Sequence, residues 1–250
     1  MFFPLCLFPE WRPLMSIQKL TQNTVDALFP KADSPIYNLL KTRVNTELQS
    51  KIVNGASDMA QISKNSQKAG NIYNEIKKTG NKEAASAFRT SLVSYVSKGD
   101  VSGMNNLMKF GTSLVENKKT SMLNDSLTVA EGLNKSGATG VAQRFLSTAA
   151  TTYNNYGEGS LKDLNSAAGY LSRIGSSEGT KSGGLASAQS SLSEAFSRIQ
   201  NLNVTDQEKK NQMGELSKGV QNTKSIEEAN SYLKDKLSQI GEAEKTQKAA

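Results

Sequence analysis

The chain has 250 residues, no histidine, a single cysteine, 36% hydrophobic residues and a net charge of +7. Without histidine it lacks the usual physiological-pH acid/base and the commonest metal ligand, and with Cys6 alone no intrachain disulfide can form. The apolar content lies below the roughly 45–50% usual for a globular chain, and the deficit is filled by Ser, Asn, Thr, Gln and Lys rather than by like charge. That pattern excludes simple disorder and favours slender helices with a narrow apolar stripe.

Residues 1–14, MFFPLCLFPEWRPL, stand apart from the rest, holding the only Trp and the only Cys. They have no basic start, no small-x-small cleavage site and an apolar run far short of the ~20 residues of a membrane span. The expectation is an atypical extension, with translation starting at Met15; a short hydrophobic anchor is the alternative. Cytoplasmic location and export without a cleaved signal peptide both fit this start.

From Ile36 onward there is no proline, so helix is permitted almost anywhere. Ile17, Leu20, Val25, Leu28 and Phe29 predict a first helix stopped by Pro30. Pro35 opens a second, with Tyr37, Leu40, Val44, Leu48 and Ile52 on one face before Gly55. Met59, Ile62, Ile72, Tyr73 and Ile76 mark a third, ending at Gly80. Asn81 is a cap for the fourth, which carries Ala84, Phe88, Leu92, Tyr95 and Val96 to Gly99. Asp100 opens a fifth with Val101, Met104, Leu107, Met108, Leu114 and Val115.

The second half continues in the same style. Leu123, Leu127 and Ala130 lead to Gly137, and Val141, Ala142, Phe145, Ala149 and Tyr153 follow. Ser160 and Asp163 have capping-box-like spacing before Leu164, Ala168, Leu171 and Ile174, with Gly175 as the stop. Leu185, Ala188, Leu192, Ala195, Phe196 and Ile199 predict another helix. Thr205 with Glu208, and Ser225 with Glu228, are capping boxes; the last helix uses Ile226, Ala229, Leu233, Leu237 and Ile240. After Gly241 a disordered tail, 242–250, is expected to fray. The fold class is therefore all-α, with ten or eleven short helices arranged as irregular stacked α-hairpins.

Charge divides this chain into a basic region, 15–119, with fifteen Lys or Arg against eight Asp or Glu, and a balanced hairpin region, 120–241. Within the latter, Lys135-Ser136-Gly137 with Ala142-Gln143, Leu146-Ser147 and Ala149 recurs 46 residues on as Lys181-Ser182-Gly183, Ala188-Gln189, Leu192-Ser193 and Ala195. A fainter copy aligns Gly80, Ala85, Phe88 and Leu107 with Gly137, Ala142, Phe145 and Leu164. Each unit reads as helix, Gly turn, helix, stacking on its neighbour. Glycine every twenty residues or so breaks any sustained heptad pattern, which disfavours a coiled coil.

Little chemistry is signalled. Gly175-Ser-Ser-Glu-Gly-Thr-Lys-Ser182 has Thr180 where a phosphate loop needs glycine and a helix where it needs a strand, so it reads as a flexible linker. Metal binding would rest on carboxylates alone, and no calcium-loop pattern is present. No catalytic, metal or cofactor residue is assigned, and no carboxylate is expected inside an apolar cluster. Lys77, Lys78, Lys82 and Arg89 lie near Tyr73 at the Gly80 turn, with Lys118 and Lys119 further on, and are the candidate contacts for an anionic partner. Lysines at helix C-termini also complement the helix dipole, which explains Lys77 and Lys78 without a ligand. Sequons at Asn124, Asn134 and Asn203 are expected by chance in so Asn- and Ser-rich a chain.

Read from Met15, the start MSIQKLTQNTVDALF is an amphipathic Ser/Thr/Gln/Asn-rich segment. It looks like the uncleaved start of some bacterial substrates exported through secretion channels. That likeness implies an exported effector, a secretion component or an internal virion protein. The leading expectation is a non-enzymatic helical interaction or assembly protein with protein partners, homo-oligomers included. The alternatives are a nucleic-acid-associated protein using the basic half and a hydrolase with a carboxylate pair.

Overall fold

The computed structural model describes residues 68–98, 101–177 and 182–249. The segment 1–14, the helices expected over 17–29 and 35–55, the start of the third, the Gly99–Asp100 junction and Lys181 lie outside the described residues. Among the described residues the chain is all-α, with eight helices and no strand. Helix α1 covers 68–78, α2 Lys82–Lys98, α3 Val101–Glu116, α4 Thr120–Lys135, α5 Thr139–Ser177, α6 Ser182–Asn201, α7 Asp206–Gln221 and α8 Ile226–Ala249.

The expected count of ten or eleven and the hairpin units drawn from glycine spacing are not matched. Helix α5 runs through the boundary placed before Leu164, and Ser160 is buried inside it rather than capping a new helix. The break in α5 falls instead at Gly157, with φ 80 and ψ −164. Gly175 stands inside α5 and Gly241 inside α8, which continues to Ala249 through the tail expected to fray. Two contacts hold that tail: Ala243 packs against the core, and Gln247 Oε1 accepts from the Asn203 backbone N–H at 2.8 Å.

Other end signals do what their chemistry dictates. Asn81 Oδ1 accepts from the Ala84 N–H at 2.9 Å, satisfying one otherwise unpaired donor at the start of α2. Thr205 and Glu208 form both bonds of a capping box. Ser225 caps Glu228 at 3.1 Å, but the Glu228 carboxylate returns to the Lys224 N–H at 2.8 Å rather than to Ser225. Helix α4 ends in a Schellman turn: Gly137, at φ 80, donates to Asn134 O at 3.0 Å, and Ala138 donates to Leu133 O at 2.9 Å. Helix α3 ends the same way around Lys118, which takes φ 58 without being glycine.

Packing follows a regular rule. With the two halves of α5 either side of Gly157 counted separately, helices two apart in the chain lie side by side, joined by side-chain hydrogen bonds between residues at similar separations: 45 for Ser86–Glu131, 46 for Arg144–Ser190, 48 for Gln200–Thr152, 46 for Asn230–Gly184 and 54 for Ser217–Asp163. Partners advance together, 144 with 190 and 152 with 200, so paired helices run in the same direction. The half of α5 before Gly157 pairs with α6, and the half after it pairs with α4 and α7. Two layers result: α1, α3, the first half of α5, α6 and α8 in one, and α2, α4, the second half of α5 and α7 in the other.

Between the layers runs one apolar core reaching from Ala69 to Ile240. Phe88, Phe110, Phe145 and Phe196 are fully buried on α2, α3, α5 and α6, and each is worth about 3–5 kcal/mol against alanine. Much of the remaining core is alanine, including Ala84, Ala142, Ala149, Ala188, Ala195 and Ala229, which lets slender helices approach closely. The Ala142–Ala149 and Ala188–Ala195 stretches that echo each other in sequence lie on α5 and α6, with all four of these alanines buried.

Candidate functional site

The array places four connections along one edge. The α3–α4 turn touches the α5 bend through the Lys119–Glu158 ion pair at 3.0 Å and the Asn117–Tyr153 hydrogen bond at 3.3 Å. The bend in turn touches the α6–α7 turn, where Tyr156 donates to Gln200 O at 3.3 Å. At the N-terminal side, the α1–α2 turn is seated on α4: Asn124 donates to Thr79 Oγ1 at 2.8 Å and Asn81 donates to Thr128 Oγ1 at 3.3 Å.

Three of the four candidate anionic-partner residues meet at this edge. Lys77 and Lys78 are exposed on the last turn of α1, and Lys82 is exposed at the start of α2. Arg89 is half-buried two turns further along α2 and does not share their exposure. Lys77 and Lys78 line an open groove of ≈ 840 Å³ with Asn71, Asn74, Glu75 and Val115 of α3. Lys78 is neutralised by Glu75. Tyr73 is buried, and the Lys77 ammonium stands 5.8 Å from its ring centre, so the ring is not offered to a base. The groove holds one carboxylate.

Carboxylate chemistry departs from expectation in one respect. Burial pushes the Asp125 and Asp163 carboxyls above their ordinary range, and Lys218 and Lys162 pull Asp163 part of the way back. Glu131 is 7% exposed; one oxygen accepts from Ser86 Oγ at 2.9 Å and the other has no hydrogen-bond partner. The signal for Asp163 was present in its position between Leu161 and Leu164 on the apolar stripe. Glu208 moves oppositely, held below the usual range by hydrogen bonds from the Thr205 side chain and backbone. Burial, and secondarily Glu215, raises the Tyr232 phenol.

Among the described residues no three His, Cys, Asp or Glu side chains converge on a metal-sized site, and no helix is long and apolar enough to cross a membrane. The buried polar groups serve the stacking: Ser126 donates to Asn165 at 2.8 Å, and Gln189, fully buried, donates to Ala168 O at 2.7 Å. Asn124, in a sequon, is itself buried in such a contact. No protein-family model, curated protein or solved structure matches this chain.

Proposed function

We propose that the chain is a non-enzymatic helical scaffold that binds other proteins. The observation that carries this reading is the side-by-side pairing of helices two apart, repeated from α2–α4 to α6–α8. Such an array buries its apolar stripes internally and leaves two long polar faces, the geometry of extended interaction surfaces. The outer face of α5 and α6 exposes Thr151, Asn154, Asn155, Ser187, Ser197 and Asn201 with the charges Arg144 and Glu194 among them, whereas α7 exposes Asp206, Glu208, Lys210, Glu215 and Lys218. Slender helices without disulfides also suit passage through a narrow channel, which supports an exported effector, secretion component or virion protein as the carrier of this scaffold.

The test is purification of the tagged full chain from its own host, followed by rebinding of each co-purifying protein to the purified chain. A partner that rebinds with Kd below about 10 μM supports the reading, since that corresponds to roughly 7 kcal/mol. Recovery of chaperones alone overturns it.

A further inference from the structure

We propose that the edge formed by the α1–α2 and α3–α4 turns is a sequence-independent binding surface for the phosphate backbone of double-stranded nucleic acid. Two lysine clusters distant in the chain become one patch there. Val115, one turn before Lys118, lines the same groove as Lys77 and Lys78, and the α1–α2 turn rests on the start of α4, which directly follows Lys118 and Lys119. Lys78 is engaged by Glu75 and Lys119 by Glu158. Exposed Lys77, Lys82 and Lys118 have no carboxylate within ion-pair distance among the described residues.

The chemistry of the patch selects its partner. Exposed Asn71 and Asn74 add amide donors beside Lys77 and Lys78 in the groove, and amides with lysines are what phosphate oxygens require. A protein partner needs apolar or aromatic anchors, and lysine is depleted at protein interfaces. The edge residues Thr79, Gly80, Asn81 and Asn117 supply no such anchor. Among the described residues of this edge, Tyr73 is buried and Tyr153 is half-buried with its ring against Phe110, so neither offers an open face to unpaired bases and duplex is favoured over single strand. Lysines on a duplex backbone contact phosphate rather than base edges, so binding is governed mainly by counterion release.

The experiment is fluorescence anisotropy of a labelled 20-base-pair duplex of arbitrary sequence with the full-length protein, from 50 to 200 mM salt. Binding at 50 mM is expected. The triple variant Lys77→Gln, Lys82→Gln, Lys118→Gln should reduce the slope of log affinity against log salt by roughly 2.7, at about 0.9 per phosphate contact. Its affinity at 100 mM salt should fall at least about tenfold, by the same counterion argument. The charge-preserving triple to Arg should retain the slope. A control triple, Arg144→Gln, Lys224→Gln, Lys234→Gln, removes equal charge elsewhere and should leave affinity within about twofold. Thermal melts of the four proteins separate lost contacts from lost folding. No binding at 50 mM, equal loss in both Gln triples, or poly-glutamate competing as well as unlabelled duplex would each overturn the proposal.

Discussion

At the α4–α5 turn, Gly137 holds a φ of 80, and the space its missing Cβ would fill is empty. At the α7–α8 crossing, Gly219 lies inside a helix, and a Cβ there would fall onto the Tyr232 hydroxyl and ring. The turn uses glycine for its backbone freedom; the crossing uses it for its lack of volume. Gly111 under Ile72, with 3.0 Å to the nearest atom, and Gly175 under Leu185, at 3.3 Å, belong with Gly219. One residue type thus performs two unrelated jobs, and the stacking of the layers depends on the second.

The largest effect is expected at the crossing. Gly219→Ala should cost about 1–3 kcal/mol in denaturant melts, because displacing Tyr232 outweighs the helix-propensity gain of about 1 kcal/mol. In a Tyr232→Ala background the same substitution should change sign and stabilise, and a persistent loss there would refute the volume account. The next contrast lies within one segment. Gly137→Ala should cost about 1 kcal/mol through its left-handed backbone, while Gly132→Ala, in the last turn of α4 with open space around it, should gain about 0.5 kcal/mol. Lys118→Gly, relieving a non-glycine residue at φ 58, should gain about 0.5 kcal/mol after the entropy of the unfolded chain is subtracted.

The smallest effects are those of pH. Asp125 and Asp163 hold their protons more tightly when folded than at their ordinary 3.8, so stability falls as pH rises through that window. Asp163→Asn should therefore be more stable than the parent at pH 7, with the difference vanishing below about pH 3.8. Glu208 has the opposite sign: its contribution is complete above its ordinary 4.5 and is lost as pH falls below it. Glu208→Gln should be less stable than the parent at pH 7, and urea melts across pH 3–7 should show the two variants converging on the parent from opposite sides.

The same division explains how much was legible. Apolar spacing located the core: Ile72, Phe88, Leu92, Leu123, Phe145, Leu164, Leu192, Phe196, Ile226 and Leu233 are all buried on the faces their periodicity implied. Caps at Asn81, Thr205 and Ser225 were readable because their chemistry is local. Glycine is readable as an end at Gly80 and Gly137, where the helices do stop, but a stop and a notch look alike until the neighbouring helix is known: Gly175 and Gly241 lie inside helices, and the break at Gly157 has no local signal beyond the glycine itself. The basic edge was half legible. Lys77, Lys78 and Lys82 are neighbours in sequence, but their union with Lys118 depends on how α3 lies against α1, a tertiary fact.

The similar separation of these inter-helix bonds has a consequence for assembly. The rungs between side-by-side helices close loops of similar length, from 36 residues at Asn117–Tyr153 to 54 at Ser217–Asp163, while Gln189 ties α6 to the second half of α5 across only 17–21. Loop-closure entropy grows only logarithmically with length, so no rung is much harder to form than another. Each pair of side-by-side helices can therefore dock at a comparable entropic cost, without waiting for a distant closure elsewhere in the array.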